Sequence, residues 1–375
     1  MLTPVSIPTS SRLPIEHLSA SFNSVTNSYK FYWFLSLLDY IQKTPSPIIP
    51  IEHLLAHMVA HVWYPTNYFR LSFGKQDRLS AVAQDIKSEI NLSSNASKNE
   101  VIQSTSVYMS GKSKLAREIN SLGDYVPYRF LHPFFGTQLR GQPDWKKNDL
   151  IKHLAEQSFQ NTTGPCLYRF NTPQNAIEIH PLWFDYLQTH LAIVKSFCLW
   201  HLLNYLQKNN PNVPAIATKL FEPEQRNLRE SRKFWQRAFE KLGTIQCIYS
   251  GQMMQKTSFS LDHFLPWSFV THDLMWNIIP TPKNVNSAKN DQLPHFTLYF
   301  ESFARLQYEA FQAVVSPKQE SLLEDYALLF KKQSVVEVQA LRFEEFKTVM
   351  RDTIAPQMQI ARNMGFIADW SYTIL

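Results

Sequence analysis

Leu261-Asp262-His263-Phe264-Leu265-Pro266-Trp267-Ser268-Phe269, followed by Trp276-Asn277 and then by Asn286-Ser287-Ala288-Lys289-Asn290-Asp291, brings a carboxylate, an imidazole and an amide into one short segment. That set of groups suits phosphodiester hydrolysis. A small divalent cation such as Mg²⁺ takes hard oxygen ligands and stabilises a leaving oxygen, while a neutral imidazole accepts the proton of an attacking water. On this reading Asp262 and Asn286 are the metal ligands and His263 is the general base. Neighbouring strand residues face opposite sides, so a straight strand cannot turn Asp262 and His263 to one ion. Pro266 ends any central strand, which places Asp262 at a strand end and lets His263 open a loop.

The whole pattern, with its Pro-Trp-Ser-Phe continuation, its Trp-Asn pair and its closing Asn-x-x-Lys-x-Asp, resembles the HNH endonuclease family. The family site is a ββα-metal finger, in which a two-stranded hairpin delivers the Asp-His pair and a short helix delivers the last ligand. Mapped onto that plan, residues 244–249 form the first strand, Ser250-Gly251 the turn, 257–262 the second strand and 283–291 the helix. The resemblance makes Asn277 the middle letter of the motif, holding the intervening loop closed through backbone hydrogen bonds. Lys289, one helical turn beyond Asn286, is expected to neutralise the pentavalent phosphate, the alternative being a solvated lysine. Asn290 is a weaker candidate for coordination through water.

Many HNH domains also carry two Cys-x-x-Cys knuckles around a structural zinc. The corresponding positions here read Cys247-Ile248-Tyr249-Ser250 and Pro282-Lys283-Asn284-Val285. One thiol cannot complete a tetrahedral zinc site, so no structural zinc is expected, and Cys247 reads as a small core residue. Apolar packing by Ile248, Trp267, Phe269, Trp276 and Ile278 is expected in its place. The zinc-free form is similar to the nuclease domains of RNA-guided CRISPR effectors, which share the Cys-x-Tyr-x-Gly lead-in and the interval from Asp262 to Asn286.

Only 9 glycines among 375 residues, against the usual ~7%, and long segments with apolar residues at three and four spacing indicate a mainly α protein with helical domains flanking the embedded finger. The expected division is a helical N-terminal domain over 1–210, a basic helix plus the finger over 222–294, and a helical C-terminal segment over 295–375. Residues 208–214, containing Asn209-Asn210-Pro211-Asn212, mark the boundary before the basic helix. The segment 182–206 is apolar but interrupted by Asp185, His190, Lys195 and His201, which argues for a buried helix and against a membrane span. Three widely separated cysteines and no apolar leader point to a cytoplasmic protein.

The formal charge is +6, which favours a polyanionic partner. Glu222-Pro223-Glu224 reads as a helix start, and Arg226, Arg229, Lys233 and Arg237 then recur at three or four, sharing a face able to follow a phosphate backbone. These four and Lys289 are the candidate nucleic-acid contacts; the alternative is a solvated helix face partnered by Glu230 and Glu240. The aromatic run Tyr29-Lys30-Phe31-Tyr32-Trp33-Phe34-Leu35 is expected in a core helix, with base stacking as the alternative. His53, His57 and His61 fall on one helix face, a spacing able to bind a transition metal but more typical of packing. Residues 125–135, with two prolines, read as an ordered apolar connector.

The stretches Asn27-Ser28-Tyr29-Lys30-Phe31-Tyr32-Trp33, Val62-Trp63-Tyr64-Pro65, Phe73-Gly74-Lys75-Gln76-Asp77 and Val126-Pro127-Tyr128-Arg129-Phe130 are similar to bacterial stand-alone HNH endonuclease-domain proteins, many of which sit among antiphage defence genes. The resemblance implies a Mg²⁺- or Mn²⁺-dependent DNA endonuclease in bacterial defence, leaving 5′-phosphate and 3′-hydroxyl ends. Two alternatives accompany it. One is a partner-activated nuclease subunit of a larger, RNA-guided or other defence complex; the other is a catalytically inactive DNA-binding module. RNA is the weaker substrate, because nothing here selects a 2′-hydroxyl.

Overall fold

The computed structural model describes residues 6–23, 25–223, 226–316 and 320–373. It is mainly helical, with a small ββα unit in its second half. The chain divides into two compact units, Met1–Pro211 with Ile216–Pro223, and Asn212–Ala215 with Glu224–Leu375.

The first unit is built around α1 (Tyr29–Lys43). Its aromatic run is core: Phe31, Tyr32, Trp33, Phe34 and Leu35 are all buried, as expected for a helix apolar around most of its circumference. At about 1.5–3 kcal/mol for each large apolar side chain buried, this one helix supplies a large share of the unit's stability. It packs against α2 (Ile51–Trp63) and the long helix Leu191–Asn209. The Trp33 indole donates to the Tyr168 hydroxyl (3.2 Å), which donates to the Pro127 carbonyl (2.6 Å). A three-stranded antiparallel sheet, β1 (Ile48–Pro50), β2 (Tyr168–Asn171) and β3 (Ala176–Ile179), has β3 in the centre.

The histidine row on α2 is dispersed among different partners. His53 stacks on His57 (4.2 Å), while His61 bonds Asp39 (3.0 Å). Asp39 is buried and also takes Lys98 (2.6 Å) and Lys195 (2.8 Å). Burial alone would raise its pKa, but these three partners overcome that and hold it far below the ordinary carboxylate range.

Α3 (Arg78–Glu89) starts where Asp77 accepts from the Leu79 and Ser80 amides (3.1 and 3.3 Å), after a turn in which Gly74 has φ +85°. The stretch expected as an ordered apolar connector, its helical periodicity broken by two prolines, is helical: α4 (Val126–Leu131) runs into a 3₁₀ turn, His132–Phe135. Both prolines sit in first turns, where no backbone N–H is needed. The apolar segment 182–206 falls in two helices, Pro181–Thr189 and Leu191–Asn209. Among the described residues no helix is long and apolar enough to cross a membrane.

In the second unit α5 (Arg229–Leu242) begins later than the Glu222-Pro223-Glu224 start expected from sequence; Glu224 lies outside the described residues. Arg226 therefore precedes the helix and does not share its face. Two short strands, β4 (Ile245–Gln246) and β5 (Met253–Met254), form one hairpin, and β6 (Ser260–His263) pairs with β7 (Ile278–Thr281) in a second ribbon. Α6 (Lys283–Lys289) follows, then α7 (Phe296–Val314), α8 (Glu320–Leu329) and α9 (Phe343–Asn363). One core runs from Phe234 and Trp235 on α5 through Phe264, Ile278 and Val285 to Phe303, Phe346 and Ile354. The small unit and the C-terminal helices therefore fold together.

Candidate active site

Β6 runs antiparallel to β7, with Asp262 opposite Ile279 and His263 opposite Ile278. This corrects the expected hairpin. The strand before Ser250-Gly251 pairs instead with β5, and the partner of β6 comes after the 264–277 loop. Chain proximity suggested the nearer strand, but hydrogen bonds at the neck of the loop select the farther one. The Asn277 amide accepts from the Leu265 N–H (2.8 Å) and donates to the Leu265 carbonyl (2.9 Å), and the Phe264 N–H donates to the Asn277 carbonyl (2.8 Å). Asn277 is fully buried, so these bonds form away from competing water.

Α6 lies across β6. Asn286 donates to the Ser260 hydroxyl (3.0 Å) and the Leu261 carbonyl (2.9 Å). One turn on, the Lys289 ammonium bonds the Asp262 carboxylate (3.1 Å) and the His263 carbonyl (2.6 Å). Lys289 is 0% exposed and Asp262 3%, so Lys289 is neither the solvated lysine nor the exposed phosphate contact expected from sequence. Placing a cation fully inside protein is costly unless it is paired and hydrogen-bonded, and both conditions are met. The other Asp262 oxygen accepts from the Tyr249 hydroxyl (3.0 Å). Burial and the adjacent Asp262 carboxylate push the Tyr249 phenol far above its usual value, keeping it a neutral donor.

His263 closes β6 and does not open the loop, so alternation along the strand separates it from Asp262. Its Nε2 meets the Asp273 carboxylate at 2.9 Å. Asp273 also accepts from the Asn227 backbone N–H (3.0 Å). Burial would raise the Asp273 pKa, but the His263 contact, with help from the Asn227 amide and the Arg226 charge, brings it below the ordinary value. Asp273 and Tyr249 were not singled out from sequence. An acid ten residues beyond a histidine carries no signal until the loop is closed, and Tyr249 was noted only as part of the lead-in.

The candidate nucleic-acid residues do not form one stripe. The Arg226 guanidinium lies over the Trp267 ring (5.5 Å), and Lys233 pairs with Glu230 (2.7 Å). Arg229 is exposed, while Lys233 and Arg237 are half-buried. The opposite side of α5 buttresses the ribbon, since the Trp235 indole donates to the Ile278 carbonyl (3.0 Å). At the positions where many HNH domains carry zinc knuckles, Cys247 is buried, as are Phe269, Trp276 and Ile278, while Ile248 and Trp267 are half-buried.

Asp262 and Asn286 offer a carboxylate and an amide oxygen, both hard donors. The Asn286 nitrogen makes the two bonds to β6, leaving its oxygen without a hydrogen bond among the described residues. By donor type this pair suits a small divalent cation, with both Asp262 oxygens here engaged by Lys289 and Tyr249. Among the described residues no group of three or more His, Cys, Asp or Glu side chains is placed to hold a metal. No curated protein and no solved structure matches the chain. Residues 247–295 match the family model described as HNH endonuclease, so the ribbon, the clasped loop and the crossing helix all lie within a segment similar to a nuclease domain whose members generally use divalent metal ions.

Proposed function

We propose that this protein is a metal-dependent DNA endonuclease that hydrolyses phosphodiester bonds at the joint between the β6–β7 ribbon and α6. The observation that carries the reading is that α6 lays Asn286 and Lys289 on the strand that carries Asp262 and His263, within the segment matching the nuclease domain. Asp262 and Asn286 would hold Mg²⁺ or Mn²⁺, which supplies Lewis-acid stabilisation of the leaving 3′ oxygen. With its Nε2 proton directed at Asp273, His263 keeps a lone pair on Nδ1 and takes the proton of the attacking water there. Asp273 stabilises the imidazolium that results. Lys289 holds the Asp262 carboxylate against α6, and Asn277 holds the loop that carries Asp273. The products carry 5′-phosphate and 3′-hydroxyl ends. Arg229, Lys233 and Arg237, with Arg226 ahead of the helix, are the proposed contacts to the DNA backbone. Three free, buried thiols fit work in the reducing cytoplasm.

One observation favours a second reading, a nuclease subunit held inactive until a partner arrives. Asp262, His263 and Lys289 are 3%, 4% and 0% exposed, so a DNA phosphate reaches the imidazole and the carboxylate only after the surrounding loop shifts. A role in bacterial defence rests on the likeness of the flanking stretches.

The test is cleavage of supercoiled plasmid by the purified chain with Mg²⁺, Mn²⁺ or EDTA, beside His263→Ala and Asn286→Ala. Metal-dependent nicking that both variants lose, with DNA binding retained, is the expected result. Full activity in His263→Ala removes His263 from the mechanism. DNA binding without cleavage by the unmodified chain supports the partner-activated subunit or an inactive binding module.

A further inference from the structure

Three stretches noted in the sequence but given no role meet in the first unit. The start of α1 contributes Asn27, Tyr29 and Lys30, the start of α3 contributes Arg78, and α4 contributes Val126 and Arg129. They border a cavity of about 640 Å³, within the range of small-molecule sites. The walls are built. Asp77 caps α3 and also accepts from the Ser28 amide at the start of α1 (2.6 Å), while the Tyr29 hydroxyl accepts from the Arg78 amide (2.6 Å).

The lining carries three cations, Lys30, Arg78 and Arg129, against one carboxylate, Glu118. Arg78 is paired with Glu118 (3.3 Å), and Arg129 grips Asp144 with two nitrogens (2.9 and 3.0 Å). Lys30 has no hydrogen bond or ion pair among the described residues. Burial, with the Arg129 charge nearby, draws its pKa below the usual lysine value, a cost that a bound anion would relieve. Tyr125 borders the same cavity and is 59% exposed, and Val82, Leu122 and Val126 add apolar wall. An unpaired ammonium and a largely exposed aromatic residue bordering one cavity are a complement to a phosphate joined to a flat ring.

We propose that this cavity binds a nucleoside 5′-phosphate, with the phosphate against Lys30 and Arg129 and the base against Tyr125. The site lies in the first unit and does not depend on the nuclease reading.

The experiment is isothermal titration of the full chain with the four ribonucleoside 5′-monophosphates, the four 5′-triphosphates, inorganic phosphate and adenosine. At least one nucleotide saturates a single site, inorganic phosphate binds about tenfold more weakly or less, and adenosine gives no saturation. Lys30→Met and Tyr125→Ala each weaken the nucleotide about tenfold or more, and His263→Ala leaves it unchanged. Because Lys30 is half-buried, the exposed Tyr125 provides the variant least able to perturb folding, and melting temperatures of the free variants check this. The proposal is overturned if no nucleotide saturates, if Tyr125→Ala binds like the unmodified chain, or if phosphate binds as tightly as the nucleotides. It is also overturned if the two variants weaken duplex DNA binding and leave nucleotide heats unchanged, which would mark a DNA contact.

Discussion

Asp273 stands ten residues beyond His263 and 2.9 Å from its Nε2. A carboxylate there orients the imidazole, so Asp273→Asn should lower kcat by about tenfold to a hundredfold, part of the ~10²–10⁴ that general-base catalysis contributes. An unchanged kcat would reduce Asp273 to a structural role. Its folded pKa lies below the unfolded one, so its contribution to stability is in place above about pH 4 and is lost as the pH falls further. Lys289 gives a second test. Lys289→Met leaves Asp262 buried without its cation and should cost about 3–5 kcal/mol in chemical denaturation. The Asp262→Asn, Lys289→Met double variant should recover most of that loss, while remaining inactive.

The ribbon and its loop depend on a few buried polar contacts. Asn277→Ala removes both side-chain bonds to Leu265 and strands the Leu265 backbone groups, which should cost about 2–3 kcal/mol and reduce cleavage by releasing the segment that carries Asp273. Equal stability and activity in that variant would show that the loop is held from elsewhere. The far end of the loop has its own supports: the Met275 amide donates to Asp325 (2.9 Å), and Gln307 donates to the Ile278 carbonyl (2.9 Å). These ties, and the failure of the nearer strand to pair with β6, were not legible in the motif. Strand pairing depends on which backbone groups are brought together, and the loop between β6 and β7 hid the pairing from any reading of neighbouring strands. The short helix was expected over 283–291 from the family plan; it ends at Lys289, where Asn290 turns to a positive φ.

Across the molecule, the two units respond to different conditions. In the first, His57 is buried beside His53, and burial with that neighbour brings its pKa down to about 3. A histidine kept neutral in the folded state and protonated in the unfolded one favours unfolding as the pH drops from about 6.5. Asp39 adds to this below about pH 4, because its stabilising network is lost as the carboxylate is protonated. The first unit should therefore lose stability steadily from pH 6.5 downward, and His57→Phe should flatten the slope between pH 6.5 and 4 in thermal melts. An unchanged slope would place the acid sensitivity elsewhere. In the second unit, the C-terminal end supports the site directly: Trp370 packs edge-on against Tyr249 (5.2 Å), whose hydroxyl holds Asp262, and its backbone pairs with Leu293 and His295 just beyond α6.

Residue order was enough to locate the Asp-His pair and the aromatic core of α1, encoded by a dipeptide before a proline and by an apolar run, while the Asn277 clasp and the short helix were implied by the resemblance to the HNH family. The mainly helical class followed from periodicity and from the scarcity of glycine. Folding added the pairing of β6 with a strand beyond the loop, the burial of Lys289 on Asp262, the Asp273–His263 contact and the shared core of the small unit with the C-terminal helices. Each of these joins residues through space that spacing does not relate. Whether a polar group meets water or a partner is decided by the packing around it, and that is a property of the assembled chain.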